Sequence, residues 1–329
     1  MAEIFNLVEK SQQLLEDNKK DWTNKWNEYA DKITANIKYI QKCRKTFQKW
    51  HPLKIYLNVS ESKKGNPEFS IRFKGQGIAN LVLDKKHKPL LKITKGHSTA
   101  NKKYFNFDSP DGKFPWNGSQ AKEFRKVFNN CKERKGKSEE HMLESLILDE
   151  MECKSSEKFK GTFLNVQPVG LAETDLRFQM PVPLSGNTGQ PKYTRGNIDI
   201  FARVGRGAAT KLAIMELKRN ERKSYKHAVA QSIIYTLCIQ NILRNKTIGE
   251  KWWKIFGFKR SLPNKTTLHA TAFLPQNLKD LYDKEIINLG LNKQDNHIQL
   301  GNDSIISDYV FFNMENERIL VTKQSLFNY

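Results

Sequence analysis

Residues 196–204 read G-N-I-D-I-F-A-R-V, residues 211–220 read K-L-A-I-M-E-L-K-R-N, and residues 228–235 read A-V-A-Q-S-I-I-Y. The first two are apolar runs of strand length joined by a Gly205-Arg206-Gly207 turn, and the third is apolar over a helical length. Each run carries a few polar residues: Asp199 in the first, Glu216 and Lys218 in the second, Gln231 and Tyr235 in the third. Alternate side chains of a strand share a face, so Glu216 and Lys218 point the same way. The turn makes the two strands neighbours, so Asp199 can lie across from Glu216. Residues four apart on a helix share a face, which brings Gln231 to Tyr235.

This grouping predicts chemistry. Two carboxylates and a backbone carbonyl, that of Leu217, form an oxygen-rich shell suited to Mg²⁺ or Mn²⁺. Such an ion lowers the pKa of a bound water and neutralises charge on a phosphodiester under attack. Lys218 adds a cation beside the attacking water or the phosphate. A lysine on an apolar strand is costly to bury without an acidic or phosphate partner, so its position is informative. The E-x-K triplet recurs by chance in a chain rich in both residues. The weight therefore rests on its 17-residue offset from Asp199 and on Gln231 and Tyr235.

Outward from this centre, Ser138-Glu139-Glu140 caps a helix whose apolar side carries Leu143, Leu146, Ile147 and Met151. Leu176–Val182 is expected as a strand, 183–194 as a polar loop, 225–243 as a helix and 267–273 as a strand. From residue 138 to 273 the order is helix, three strands, helix, strand. Before it, Ile4–Trp50 is expected as one helix, with Trp22, Trp26, Tyr29, Ile33, Ile40, Cys43, Phe47 and Trp50 at three- and four-residue spacing, ended by His51-Pro52. Segments 53–59, 69–73, 78–83 and 90–93 predict a small basic antiparallel sheet. Lys251–Arg260 (K-W-W-K-I-F-G-F-K-R) interleaves aromatics with bases and reads either as an amphipathic segment closing the core or as a platform for unpaired bases. Arg219, Arg222 and Lys223 offer contacts to flanking phosphates or are simply solvated.

The chain has 329 residues, 38% hydrophobic and 28% charged, which predicts a folded chain and excludes a disordered one. The formal net charge is +21, and from Asn36 to Tyr104 there are 17 Lys/Arg against Glu61, Glu68 and Asp84. A polyanion is the natural partner of that field. No apolar run is long enough to cross a bilayer, and the N-terminus lacks the charge and apolar pattern of a secretory signal. The four cysteines form no close pairs, which argues against structural zinc and a disulfide framework and fits reduced thiols in a cytoplasmic protein.

The segment 138–275 resembles the PD-(D/E)XK nuclease superfamily, whose restriction endonuclease-like core has the order αβββαβ. Asp199 matches that family's first acid, although Ile198 stands where a proline is usual. Glu216-Leu217-Lys218 matches the E-x-K, and Gln231-Ser232-Ile233-Ile234-Tyr235 is similar to the Q-x-x-x-Y motif of the RecB-like and lambda-exonuclease-like branch. The resemblance implies an acid on the first core helix, best matched by Glu144, with Glu140 one turn away as the alternative. It implies a metal held by Asp199, Glu216 and the Leu217 carbonyl, with Glu144 completing or orienting that shell, Lys218 positioning water and stabilising charge, and Gln231 and Tyr235 supporting the site or the substrate backbone. With a single cysteine, Cys238, after Gln231, no iron–sulfur cluster is expected. No phosphate-binding G-x-x-x-x-G-K-[ST] loop occurs in the sequence.

The expected architecture is α/β: a mixed sheet flanked by helices at 136–275, a basic α+β region at 1–135, and a C-terminal extension at 276–329 packed on the core. The expected activity is Mg²⁺-dependent cleavage of nucleic acid, DNA favoured over RNA, with endo- and exonucleolytic action both open. The alternative is a non-cleaving nucleic-acid-binding protein of the same fold. No membrane partner is expected, and the N-terminal helix is a candidate homodimer contact.

Overall fold

A computed structural model describes residues 3–47, 53–58, 68–131, 139–152, 163, 166–170, 177–205, 207–218, 227–291, 296–315 and 318–325. The chain opens with two helices, α1 (Glu3–Asp17) and α2 (Lys19–Phe47), where one is expected. The break falls at Asn18, whose side-chain amide donates to the Leu14 carbonyl at 2.9 Å and so competes with the helical ladder. Trp22, Trp26, Tyr29 and Ile33 are buried within the chain. The Trp22 indole donates to Leu15 O (2.7 Å) and the Trp26 indole to Pro181 O (3.1 Å), as buried indoles require. This part of the apolar stripe is thus covered internally; the Ile40, Cys43, Phe47 and Trp50 side chains lie outside the described residues.

The first sheet contains β1 (Lys54–Asn58), β2 (Glu68–Phe73), β3 (Gln76–Leu83), β4 (Pro89–Ile93) and β5 (Gly112–Pro115) as an antiparallel meander. Its alternating apolar residues, such as Phe69, Ile71 and Phe73, are buried, and Glu68, Ser70 and Arg72 face the other side. Helices α3 (Lys95–Phe105) and α4 (Ser119–Asn130) close it through Phe73, Phe105, Phe124 and Phe128, whose rings pack edge to face or tilted.

The second sheet follows helix α5 (Glu139–Glu152). It is built from β6 (Val166–Pro168), then β10 (Ile200–Val204) and β11 (Lys211–Leu217) once two short elements have intervened. Those are β7 (Arg177–Gln179), and the pair β8 (Pro181–Val182) and β9 (Gly196–Asn197). Helix α6 (Ala228–Arg244) and the short α7 (Gly249–Ile255) then lead to β12 (Thr267–Pro275). After α8 (Lys279–Asn288) come β13 (His297–Leu300), β14 (Asp303–Glu315) and β15 (Arg318–Gln324). The order across the sheet is β13-β14-β12-β11-β10-β6, with β15 beside β14. The sheet is mixed: β10 is antiparallel to β11, whereas β11, β12 and β14 run parallel. The α/β architecture with a mixed sheet flanked by helices is as expected.

Two further expectations are corrected. The strand expected at Leu176–Val182 is split, because Pro181 has no N–H to donate and cannot continue a ladder. Its first part, β7, pairs parallel with β1 in the first sheet. Strand β6 takes the expected place beside β10. The C-terminal residues do more than pack on the core, since β14 lies within the sheet between β12 and β13. Strand β7 and helices α1 and α2 likewise carry the fold across residue 135.

The parallel strands β11 and β12 are almost continuously buried, because helices cover both faces. On one face Leu143, Ile147 and Met151 of α5 pack with Ala213, Met215 and Leu217. On the other, Leu212 and Ile214 meet the wholly apolar face of α6. Strand alternation puts Glu216 on the α6 side.

Candidate active site

Asp199 sits one residue ahead of β10, and the antiparallel register pairs Ile200 with Met215. One step further along that register sets Asp199 against Glu216. Two hydrogen bonds fix the pair. The Leu217 N–H donates to Asp199 Oδ2 at 2.9 Å, and the Asp199 N–H donates to Glu216 Oε1 at 3.4 Å. The backbone of each segment therefore orients the acid of the other.

Glu216 is fully buried at 0% exposure, and its Oε2 has no hydrogen-bond partner among the described residues. Burial, followed by the charge of Asp199, pushes its carboxyl well above the ordinary range. Burial also pushes Asp199 up to about 6, against the opposing pull of Lys218 and the Leu217 amide. Lys218 follows directly after β11, its backbone N–H bonded to Phe273 O at 3.1 Å. Its Nζ lies 4.0 Å from Glu216 Oε2 and 3.8 Å from Glu140 Oε1. The lysine thus has the acidic partner that its apolar strand demands.

Both acids of α5 reach the site. Glu140 extends from the first turn to Lys218. Glu144, 4% exposed, is held by Arg72 at 3.5 Å and His141 at 3.6 Å. Both raise the Asp199 carboxyl electrostatically, Glu140 more than Glu144. The hydrogen bond to Glu144 raises the His141 pKa despite burial.

Gln231 and Tyr235 meet on α6 as expected, and a third residue joins them. Gln231 Nε2 donates to Asn187 Oδ1 at 3.1 Å and to the Tyr235 hydroxyl at 3.3 Å, and that hydroxyl donates to Asn187 Oδ1 at 3.1 Å. Burial, then the nearby charge of Glu216, pushes the Tyr235 hydroxyl up to about 12. Gly196 makes this packing possible. A Cβ there would come within 2.4 Å of Leu184 O and 2.8 Å of Tyr235 Cε1.

Two residues of this constellation escape sequence reasoning. Asn187 lies in Gly186-Asn187-Thr188-Gly189, a composition that signals a turn but not the direction of its carboxamide. Arg72 belongs to the first sheet, and its only signal is a polar position in an alternating strand. In the fold it lies against Glu144, donates to Gln179 at 2.9 Å and stands 4.4 Å over the Tyr56 ring. Gly75 in the β2–β3 turn permits the approach, since a Cβ there would overlap His141 O at 2.0 Å. Arg219, Arg222 and Lys223 lie outside the described residues.

Do these residues fit a metal? Among the described residues no three His, Cys, Asp or Glu side chains form one shell. Asp199 and Glu216 supply two carboxylates side by side, with one buried oxygen that no donor satisfies. A small divalent cation would satisfy that oxygen and offset the burial that raises both carboxyls, and the charge of Asp199 that adds to it at Glu216. The donor set is all oxygen, as Mg²⁺ or Mn²⁺ prefers. Compared with known proteins, the chain matches no family model, no curated protein and no solved structure.

Proposed function

We propose that this protein is a metal-dependent nuclease that hydrolyses phosphodiester bonds, with DNA favoured over RNA. The observation that carries the reading is the crossed latch between Asp199 and Glu216, which leaves one buried carboxylate oxygen unsatisfied 4.0 Å from Lys218. Natural folds rarely keep such an oxygen without a use for it. Asp199 and Glu216 are the residues that hold the ion, with the Leu217 carbonyl as a third oxygen. When bound, the ion supplies a water of lowered pKa and neutralises phosphate charge.

The chain's own residues do the rest. Lys218 sets its ammonium where a scissile phosphate oxygen or an attacking water can accept a hydrogen bond from it. Glu140 and Glu144 hold a negative field on one side of the acid pair, and Arg72 fixes Glu144. Gln231, Asn187 and Tyr235 brace α6 against the 183–194 loop beside Glu216. The basic stretch 36–104 supplies the field that draws in a polyanion. Cytoplasmic residence belongs to this proposal; no helix among the described residues is long and apolar enough to cross a membrane.

The test is to incubate the protein with linear duplex, closed circular DNA, single-stranded DNA and RNA. Each is run with Mg²⁺, Mn²⁺ or EDTA, beside Lys218→Ala. Cleavage that needs the ion and is lost in the variant is the expected result. Identical behaviour of wild type and variant on every substrate overturns the reading and leaves a non-cleaving nucleic-acid binder.

A further inference from the structure

At the opposite end of β11 lies a groove of about 900 Å³ that the acid pair does not use. Its walls are the β10–β11 turn, the loop between α7 and β12, and the start of β12. Arg203, Lys211, Lys259, Arg260 and Lys265 line it, and among the described residues no Asp or Glu does. Lys259, Arg260 and Lys265 are exposed and make no ion pair among the described residues. Trp253 and Phe258 also line it, their rings stacked 3.6 Å apart at 5°.

The aromatic-and-basic run Lys251–Arg260 therefore divides its work. Trp252, Ile255 and Phe256 are buried in the core, and Lys251 pairs with Asp31 at 2.7 Å. Phe258, Lys259 and Arg260 turn outward after Gly257, whose φ is +87°, while Trp253 stays buried beneath the Phe258 ring. The Trp253 indole donates to Arg260 O at 2.9 Å, which ties the aromatic pair to the basic rim.

We infer that this groove is a second nucleic-acid site, one that grips an unpaired strand by its phosphates over an aromatic floor. A basic rim recognises phosphate, and the half-buried Phe258 ring, backed by the buried Trp253, offers a base a face to stack on. A solvated basic surface would intersperse acids to balance its field, as the Lys251–Asp31 and Lys32–Glu28 pairs do elsewhere. Lys211 and Glu216 are five residues apart on one strand, about 17 Å at ~3.3 Å per residue. No single phosphate touches both ends. The inference rests on the nucleic-acid half of the function proposed above and not on cleavage.

The experiment measures anisotropy of a labelled single-stranded 20-mer in EDTA across a salt series. Lys259→Gln/Arg260→Gln/Lys265→Gln is compared with Lys10→Gln/Lys20→Gln/Lys25→Gln, which removes the same charge from α1 and α2. All six positions are exposed, and the bond to Trp253 uses the Arg260 backbone, so both variants should fold, as circular dichroism would check. The groove variant should bind at least tenfold more weakly. Its salt slope should fall by about 2, at ~0.7 per phosphate contact on a single strand. The control should stay within twofold. Equal losses in both variants, no loss in the groove variant, or a loss seen only with duplex overturns the inference. So does displacement of the strand by a nucleoside triphosphate at matching concentration, which would make the groove a mononucleotide pocket. Binding is read in EDTA, where metal-dependent cleavage cannot run, so failure of the cleavage reading leaves this result standing.

Discussion

The two ends of β11 are built on opposite principles. At its C-terminal end two carboxylates are forced together out of water, and one oxygen of Glu216 has no donor. At its N-terminal end the charges along the groove are all positive among the described residues, and Lys259, Arg260 and Lys265 are exposed. The buried end stores electrostatic tension that a cation would release. The exposed end stores none and offers only attraction. The contrast suggests how one strand can separate chemistry from grip: the costly arrangement is confined to a few atoms held by backbone hydrogen bonds, and the undemanding one is spread over flexible side chains.

The largest expected effect breaks the acid end alone. Asp199→Asn keeps an oxygen for the Leu217 N–H but loses a charged ligand, and Glu216→Ala removes one outright. Each should reduce cleavage by about 10²–10³-fold or more, in line with loss of one preorganised electrostatic group. Affinity for a strand in EDTA should stay near wild type. A steady-state cleavage assay beside anisotropy binding checks both, and parallel loss of binding would mean that the two ends are not separate.

Next in size is Arg72→Ala, which tests how the acid end is supported from the other sheet. It leaves the buried Glu144 without its guanidinium, and also strips Gln179 and Tyr56 of a partner. Removing one member of a buried pair costs about 3–5 kcal/mol. Denaturant unfolding should show most of that loss. Arg72→Met, which keeps the packing but not the charge, should recover little if the ion pair is the cause. A change at the groove of the same kind should cost almost nothing, because exposed charges contribute little to stability.

Much of this was legible in the sequence, and the failures have physical causes. Asp199, Glu216, Lys218, Gln231 and Tyr235 could be grouped because each sits on, or one residue beyond, a regular element whose period fixes its direction. The antiparallel register and the helical turn then do the placing. Both acids of the first core helix were candidates, and both reach the site, through different partners. What stayed hidden depends on long-range pairing. Nothing local to R-F-Q at 177–179 shows that it leaves for the first sheet beside β1. Arg72 approaches from 72 residues before Glu144. Asn187 lies in a loop, where no period predicts direction. The break at Asn18 was missed because apolar spacing runs through it unchanged.

A subtler effect separates the two ends by pH. Burial pushes Asp199 up from 3.8 to about 6 and holds Glu216 well above the ordinary carboxyl range. A carboxyl with a raised folded pKa favours the fold while protonated. Its contribution is fully present below the unfolded value and is lost as pH rises through the folded one. In EDTA, Asp199→Asn should therefore match wild type in Tm near pH 4 and exceed it above pH 6.5. Added Mg²⁺ should close that gap by stabilising wild type alone. Cleavage should rise over the same interval as the acids ionise, whereas binding in the groove, carried by lysine and arginine charge, should not follow that profile. Thermal melts at several pH values decide the point, and a variant no more stable than wild type at pH 7 would show that the acid pair is not under tension.

The smallest expected effect concerns the brace behind the acid end. Tyr235→Phe removes a hydroxyl that Gln231 donates to and that itself donates to Asn187, and Asn187→Ala removes the shared acceptor. Each should cost about 1 kcal/mol of stability, the ordinary net worth of a neutral hydrogen bond. Because the three groups form one closed network, the two losses should not add. A double-mutant cycle should return a coupling of about 0.5–1 kcal/mol. If the brace matters to the site, both variants should also lower cleavage by a similar factor, with little change in strand binding. Additive stabilities would mean that Asn187 is a bystander, and that α6 is held in place by its apolar face alone.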